Sequence, residues 1–474
     1  MKIFNTLTRS KEEFKPINKD IINMYVCGPT VYDLFHIGNA RTFIFFDCVR
    51  RYLEYKGYSV NFIQNFTDID DKIINKSLQE NKTIYEISDK YIEEYYIDSD
   101  SLNIKRATQN PRATDYLNEI IELISELMDN RFAYEIDGNV YFSIREFRSY
   151  GKLFGQDLNT LKSGSRIKIN ENKKDALDFI LWKKNKGEEP GYNSPWGVGR
   201  PGWHTECCSM IYKYFDGNTI DIHGGGMDLI FPHHENEIAQ IEALGNKKLA
   251  NYWMHCSFLN MNNEKMSKSL GNFLTVREVL NVYNPNVIRF FLLSVHYRNN
   301  ISFSNLHMES AKKSLARIKK SYVNLINIKS CNNADSDNYL DEIKKYYAKF
   351  INKMEDDFNT SDAISVIFEF IKYINRFANS FNRLEVMESI KIFKIFFDIF
   401  GLEYDDNNVD CKNLEDDIKD MVIQRLEFKQ KRQFDKSDLI RSELEKKGYI
   451  LEDIKGGTRI LDTNDNNLIY TVLL

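Results

Sequence analysis

Four stretches of the chain carry residue types that could do chemistry. The first is Cys27-Gly28-Pro29-Thr30-Val31-Tyr32-Asp33-Leu34-Phe35-His36-Ile37-Gly38-Asn39, which puts a thiol, two glycines and an imidazole into one loop. Gly38 leaves room for a base or ribose to approach the backbone. The second stretch is Phe231-Pro232-His233-His234-Glu235-Asn236-Glu237. His233 and Glu237 are four apart and so project from one face of a helix. Both side chains are zinc ligands, and thiolates to join them could come from Cys27, Cys207 or Cys208. Taken alone, a His-x-x-x-Glu pair is more often a surface pair, and the His-Glu-x-x-His of zinc hydrolases is absent. The third stretch, Lys265-Met266-Ser267-Lys268-Ser269-Leu270-Gly271-Asn272, offers ammonium and hydroxyl groups to phosphate oxygens. No G-x-x-x-x-G-K-[ST] loop is present, which disfavours an ordinary P-loop ATPase. The fourth lies between Gln424 and Lys447, where eight basic residues stand against five acidic ones. By composition that segment reads as a solvated helix face laced with i,i+4 pairs.

The elements that must position these groups follow from hydrophobic pattern. Ile21-Ile22-Asn23-Met24-Tyr25-Val26 reads as a strand, Ala40 to Tyr55 as a helix, and Tyr58 to Phe66 as a second strand. This is a βαβ unit, hence a parallel sheet with a right-handed crossover. Thr67-Asp68-Ile69-Asp70 reads as a capped helix start with Thr67 as the cap. Ligands of such sheets sit at the carboxyl ends of strands, so Cys27, His36 and Thr67 address one edge. The pattern is helical from about Thr83 to Asn130. Residues 131–200 read as an insertion of short strands, such as Asn139-Val140-Tyr141-Phe142, between turns such as Lys162-Ser163-Gly164-Ser165. The sheet resumes at Thr219-Ile220-Asp221-Ile222-His223, followed by Gly224-Gly225-Gly226 and a helix from about His234. Helices dominate after Asn286, and Ile364, Ile367, Ile371, Ile374 and Phe377 form one apolar helix face. Lys329 to Asn338 reads as a loop, and Asp405-Asp406-Asn407-Asn408 as a linker to a last small unit. That unit holds a helical pair, Gly448 as a helix end, and short strands around Ile450 and Ile460.

Length and composition bound the answer. A chain of 474 residues needs two to four domains, and 42% hydrophobic residues can build a large core. A net charge of -5 gives no global nucleic-acid signal, so RNA contacts must be local. Seven cysteines in a long chain do not make a disulfide framework. No apolar run approaches a membrane span, and Arg9, Lys11, Glu12 and Glu13 stand where a signal peptide would be apolar. The expectation is a reduced, cytoplasmic protein with no membrane partner.

A His-Ile-Gly-Asn turn in the first βα unit, followed much later by Lys-Met-Ser-Lys-Ser, resembles the HIGH and KMSKS signatures of class I aminoacyl-tRNA synthetases. Longer strings resemble the cysteinyl-tRNA synthetase family: Met24 to Asp33, Thr67-Asp68-Ile69-Asp70-Asp71-Lys72-Ile73, Arg200-Pro201-Gly202-Trp203-His204-Thr205-Glu206-Cys207, and Asp221 through Glu237. The similarity runs nearly end to end. It implies an α/β fold: a Rossmann-like parallel-sheet catalytic domain with an insertion, then an α-helical bundle and a small C-terminal α+β anticodon-binding unit. The implied divisions are 1–120 and 206–255 for the two halves of the catalytic domain, 121–205 for the insertion, 256–310 for the KMSKS loop and stem-contact region, 311–404 for the bundle, and 405–474 for the linker and anticodon unit.

The resemblance also implies a chemistry. ATP-dependent ligation of L-cysteine to tRNA(Cys) passes through a cysteinyl-adenylate, with one zinc ion per chain and magnesium accompanying ATP, in an enzyme that is often a monomer. The implied zinc ligands are Cys27, Cys207, His233 and Glu237. Gly28, Thr67, Trp203 and His223 match the amino-acid pocket. His36, Gly38 and Asn39 match the HIGH turn that holds ATP. Lys265 and Lys268 match the two lysines of KMSKS, with Lys268 on ATP. Arg425, Phe434 and Asp438 fall in the tRNA-reading unit. Three departures stand out: Asn39 for the second histidine of HIGH, His255-Cys256-Ser257 where relatives often have His-Asn-Gly, and Phe434 where the aromatic is often Trp. Three rivals remain at this point. A ligase joining cysteine to a small amine would lack residues 414–474, a zinc hydrolase would lack Lys265 to Ser269, and a non-catalytic relative would lack His36 and Lys268.

Overall fold

The computed structural model describes residues 1–155, 173–187, 189–245, 247–261, 264–265, 274–328, 339–404, 416–431, 433–454, 457–462 and 468–473. Lys162 to Ser165, Lys329 to Asn338 and Asp405 to Asn408 lie outside the described residues, as does Lys268.

In chain order, a hairpin (β1, Lys2–Asn5; β2, Ser10–Glu13) precedes β3 (Ile21–Val26), α1 (Ile37–Tyr55), β4 (Ser59–Gln64), α2 (Asp71–Glu80), α3 (Ile84–Ser101) and α4 (Leu117–Asp129). Four short strands follow: β5 (Ala133–Ile136), β6 (Asn139–Phe142), β7 (Phe179–Lys184) and β8 (Gly199–Pro201). Then come α5 (Trp203–Tyr214), β9 (Ile220–Gly226), α6 (Glu235–Ala243), β10 (Ala250–Cys256), β11 (Leu259–Met261) and β12 (Glu264–Lys265). The rest is mainly helical: α7 (Val276–Leu280), α8 (Pro285–Leu293), a short β13 (Ile301–Phe303), α9 (Asn305–Ile326), α10 (Tyr339–Glu355), α11 (Thr360–Phe377) and α12 (Arg383–Phe400). The chain closes with α13 (Asp416–Gln430), α14 (Phe434–Lys446), β14 (Tyr449–Ile454), β15 (Gly457–Asp462) and β16 (Leu468–Leu473).

The central sheet has the order β10-β9-β3-β4, all parallel, and is Rossmann-like. Its strands are apolar on both faces because helices cover both, as parallel sheets require. Helix α1 supplies much of that cover, burying Phe43, Ile44, Phe46, Val49 and Leu53. The insertion is an antiparallel sheet of order β5-β6-β7-β8. The apolar face expected on α11 is present, with Ile364, Ile367, Ile371 and Ile374 buried and Phe377 against Tyr339 and Tyr373. Among the described residues no helix is long and apolar enough to cross a membrane.

The chain forms two compact units, one of residues 1–311 with 321–402, the other of residues 312–320 with 403–474. Within the second, α13 and α14 pack on the antiparallel sheet β14-β15-β16 over Ile418, Val422, Leu426, Leu444, Leu451 and Ile460. Gly448 follows α14 at φ +91°, a left-handed position that suits glycine after a helix end.

The helix start read at Thr67 moves three residues along. Helix α2 begins at Asp71, and Asp70 is the cap, accepting from the Lys72 N–H at 2.8 Å. Thr67 cannot cap because its backbone is taken: its N–H donates to Pro29 O at 3.2 Å and its carbonyl accepts from Val31 N at 3.1 Å. Asp68 is taken as well, accepting from Thr114 N and Oγ1. The chain therefore stays extended until Asp70.

One buried charge pair joins four segments of the larger unit. Arg289 on α8 donates to Asp47 on α1 at 2.5 Å, to Phe400 O at the end of α12, and to Leu102 O and Asn103 O after α3. Burial pushes the Asp47 carboxyl up, but Arg289, Arg51 and the Lys105 N–H outweigh it and hold it below the ordinary aspartate range. Its contribution to stability is thus present above the unfolded aspartate pKa, near pH 4, and is lost as pH falls through the lower folded value. Removing one partner strands a buried charge, so Arg289→Met should cost about 3–5 kcal/mol in urea unfolding at pH 7. A loss below about 1 kcal/mol, the range of exposed pairs, would show the pair to be dispensable.

Candidate active site and metal centre

The carboxyl edge of the sheet is built by the loops after β3, β4 and β9. The ladder continues past β3, since Cys27 donates its N–H to Gly224 O at 3.1 Å. Thr30 and Thr67 then form a parallel bridge between the first and second loops. Gly28 donates to Asn65 Oδ1 at 2.9 Å, and a Cβ there would lie 1.7 Å from Asn65 O, so only glycine fits.

His36 and Asn39 form a capping box on α1. His36 Nδ1 accepts from the Asn39 N–H at 3.1 Å, and Asn39 Oδ1 accepts from the His36 N–H at 3.4 Å. Acceptance at Nδ1 assigns the ring proton of a neutral imidazole to Nε2. The segment that follows residues 266–273 is paired to the same turn: Ile37 donates to Leu274 O, and Val276 donates to Phe35 O, each at 3.1 Å. On the near side, β12 pairs with β11, placing Lys265 opposite Asn260. Both flanks of the KMSKS-like segment are therefore fixed.

A cavity of about 390 Å3 opens at this edge. Cys27, Gly28, His36, Gly38, Asn39 and Trp203 line it. Thr67 and His223 do not reach it; both are buried behind its wall. Tyr32, Lys72 and Asp228 also line it, and no role for them was legible in the sequence.

Below Cys27 lies a buried cluster. The ligand atoms of Cys27, Cys207, His233 and Glu237 all fall within 4.8 Å of one another. The two sulfurs are 3.9 Å apart, Cys27 Sγ is 3.8 Å from Glu237 Oε1, and His233 Nε2 is 2.9 Å from that oxygen. A tetrahedral zinc with ligand bonds of about 2.3 Å to sulfur would hold its two thiolates about 3.8 Å apart. The donor set and the sulfur spacing fit zinc. A second grouping, Cys27, His223, His234 and Glu237, shares two members with the first. His234 Nε2 lies 3.2 Å from Cys27 Sγ, and its Nδ1 meets His255 Nε2 at 2.8 Å. His255 in turn meets Thr6 Oγ1, while His204 meets His233 at 3.0 Å. Trp203 stacks on His233 at 4.2 Å, and Trp253 stacks on His223 at 4.5 Å. The sequence gives His204, His234 and His255 no site role, and they arrive from three separate elements.

Electrostatics prepare the cluster for a cation. The hydrogen bond from Cys27 and the nearby His233 outweigh burial and bring the Cys207 thiol down to about 6. Burial pushes the Cys27 thiol well up. Burial alone would lower His233, but Glu237 and Cys207 raise it to about 10. Glu237 stays well below the ordinary range despite burial, because His223 and His233 face its two oxygens. Burial drives His204 and His255 down to about 3. The neutral-pH set of one thiolate, one carboxylate and one imidazolium is net negative, and a divalent cation would displace its remaining protons.

The C-terminal residues separate. Arg425 is 1% exposed, and its two terminal nitrogens grip Asp453 at 2.7 and 2.9 Å, so its charge is neutralised inside the unit rather than offered to RNA. Phe434 is 56% exposed at the start of α14, and Asp438, one turn on, is also exposed.

Residues 13–313 match the family model described as tRNA synthetases class I (C) catalytic domain, and residues 349–404 match the DALR domain. The chain belongs to the class I tRNA synthetases. Among solved structures, methionyl-tRNA synthetase of Mycobacterium tuberculosis in complex with methionyl-adenylate is similar at 13% identity, covering 80% of this chain and 89% of that one, with a TM-score of 0.59. The LeuRS of Agrobacterium radiobacter K84, solved as a ternary complex with tRNA and LeuAMS, is similar at 10% identity, covering 82% and 85%, with a TM-score of 0.62. Class I synthetases ligate an amino acid to tRNA with ATP, so this enzyme binds ATP, an amino acid and tRNA.

The site carries one sharp steric demand. Gly28→Ala drives a methyl into a backbone carbonyl, so the 65–67 loop must shift. The expected loss is about 1–3 kcal/mol of stability, read by thermal unfolding. Amino-acid-dependent ATP–pyrophosphate exchange should fall at least about tenfold, as befits a misplaced site. Wild-type values in both would mean the loop yields freely.

Proposed function

We propose that this synthetase joins L-cysteine to tRNA(Cys), as a monomer, with zinc held by Cys27, Cys207, His233 and Glu237 selecting the substrate thiolate. The observation that carries this reading is the buried two-thiol, imidazole and carboxylate cluster directly beneath a cavity-lining residue, Cys27. Cysteine and serine differ by one atom, and an apolar pocket discriminates such pairs poorly. Zinc, when bound, supplies the missing selectivity, because it takes thiolate at neutral pH and hydroxyl only weakly.

The chain's own groups do the rest. His223 holds Glu237 in place from the side away from His233. Trp203, stacked on His233, walls the amino-acid side together with Gly28, and Thr67 supports the loop behind it. The substrate carboxylate attacks the α-phosphorus of ATP; a carboxylate-oxygen bond to phosphorus forms as the bond to the pyrophosphate oxygen breaks. His36 Nε2–H, with Asn39 fixing its turn and Gly38 leaving space, donates to phosphate oxygens. Lys265 and Lys268 neutralise charge on the departing pyrophosphate, with magnesium on ATP. The aminoacyl group then passes to the 2′-hydroxyl of the terminal adenosine. In the C-terminal unit, the exposed Phe434 ring is placed to stack on a base, with Asp438 beside it.

The test is amino-acid-dependent ATP–pyrophosphate exchange across cysteine, serine, methionine and leucine, with zinc content measured on the purified protein. Wild type should carry one zinc per chain and respond to cysteine alone. His233→Ala should lose zinc and lower cysteine activation by about two orders of magnitude. If the variant still activates cysteine normally and still rejects serine, zinc selection fails. Truncation after residue 404 should leave exchange intact and weaken tRNA charging at least about tenfold, the loss expected when a stacking and phosphate-binding unit is removed. Equal loss of both activities would give residues 405–474 a folding role.

A further inference from the structure

Lys72 is the second residue of α2, and its side chain borders the cavity beside Tyr32, His36, Asn39 and Trp203. Among the described residues lining that cavity it is the one side chain with a permanent positive charge. Its ammonium lies 5.3 Å from the centre of the Tyr32 ring, and no carboxylate among the described residues pairs with it. Neighbouring lysines behave differently: Lys76, Lys82 and Lys90 gather on Glu80, and Lys183 pairs with Asp71.

The two acids just before Lys72 are both committed elsewhere. Asp70 caps α2 by accepting the Lys72 N–H at 2.8 Å. Asp71 accepts from Lys183 at 2.8 Å and from Arg200, both on the antiparallel sheet of the insertion. The first turn of α2 is thus fastened by its own cap and by the insertion, and the ammonium of Lys72 is left for the cavity. Sheet order adds a direction. Lys72 follows β4, one edge of the central sheet, whereas the strand carrying Lys265 follows β10, the opposite edge.

We propose that Lys72 is a phosphate-binding residue of the reaction, holding a phosphate oxygen at the end of the cavity that lies after β4, where α2 begins. The phosphate is either the α-phosphate, which gains charge as the carboxylate attacks, or the phosphodiester preceding the 3′-terminal adenosine of tRNA. His36 offers one ring N–H there; Lys72 supplies a permanent full charge. The inference rests on the reading that this cavity is the adenylate site, and does not depend on which amino acid is activated.

The test compares Lys72→Ala, Lys72→Arg and His36→Ala in the full-length enzyme, by ATP–pyrophosphate exchange and by single-turnover transfer from preformed adenylate to tRNA. Lys72→Ala should lose about 10- to 100-fold, the size expected for one charge-assisted bond. Loss in exchange identifies the α-phosphate; loss confined to transfer identifies the tRNA terminus. Lys72→Arg should recover most of the activity, and the thermal midpoint should move little, since among the described residues the ammonium has no carboxylate to lose and only the Tyr32 ring beside it. If Lys72→Ala stays within twofold of wild type in both assays while His36→Ala fails, the Lys72 inference is overturned and the cavity assignment stands. If both variants stay within twofold, the cavity assignment falls with it. Equal losses in the Ala and Arg variants, or a midpoint that falls in step with activity, would make Lys72 structural and overturn the inference.

Discussion

A carboxylate with no exposure to water governs the centre of this enzyme. Glu237 is 0% exposed, and an isolated charge there would be neutralised by its surroundings. It keeps its charge because His223 Nε2 sits 2.6 Å from one oxygen and His233 Nε2 sits 2.9 Å from the other. Satisfying it fixes β9, which carries His223, against α6, which carries Glu237, and against the turn just before α6, which carries His233. Cys27 from the end of β3 and Cys207 from α5 close the group. The stacked indoles of Trp203 and Trp253 cover the two histidines that hold Glu237. The polar cluster is therefore a packing constraint as well as a candidate metal site: four elements meet where one charge must be answered.

Helix α1 transmits that order outward. Its first turn is the His36–Asn39 box. Arg41, 1% exposed, donates to Ser257 O at 2.8 Å and Phe258 O at 2.5 Å, and also to His296 O and Asn299 O. Those carbonyls lie on the connections after β10 and after α8. Six residues further, Asp47 enters the Arg289 pair. The turn that faces ATP in our reading, the strand leading to Lys265, α8 and the end of α12 thus share one rigid support.

The legible part of the fold was the part written in apolar periodicity: β3, α1, β4, β9 and the stripe of α11. Local sequence also gave the loop positions of Cys27, His36 and Gly28. What escaped depended on distant partners. Thr67 looked like a cap because the reading could not see Pro29 and Val31 occupying its backbone. Arg425 looked like an exposed cation because Asp453 lies on a strand that folds back beneath it. Spacing could not separate Cys207 from Cys208. On the helix, one residue of rotation sends Cys207 toward Cys27 and turns Cys208 to His204 O and Glu237 O. The histidine network was invisible for the same reason, since its members meet only after β9, α6, β10 and α5 are assembled. The role of Asn39 as half of a capping box is local, set by its place three residues after the cap His36.

The bridge between Thr30 and Thr67 extends the parallel ladder beyond the named strands, with peptide groups from Pro29 to Val31 engaging Thr67. Part of the cavity wall is consequently main chain. Exchange of side chains at Pro29 or Thr30 would repaint that wall without relocating it. Recognition in this enzyme is divided accordingly: the contour of the binding space is an outgrowth of sheet geometry, while discrimination is concentrated in the few side chains rooted beneath it.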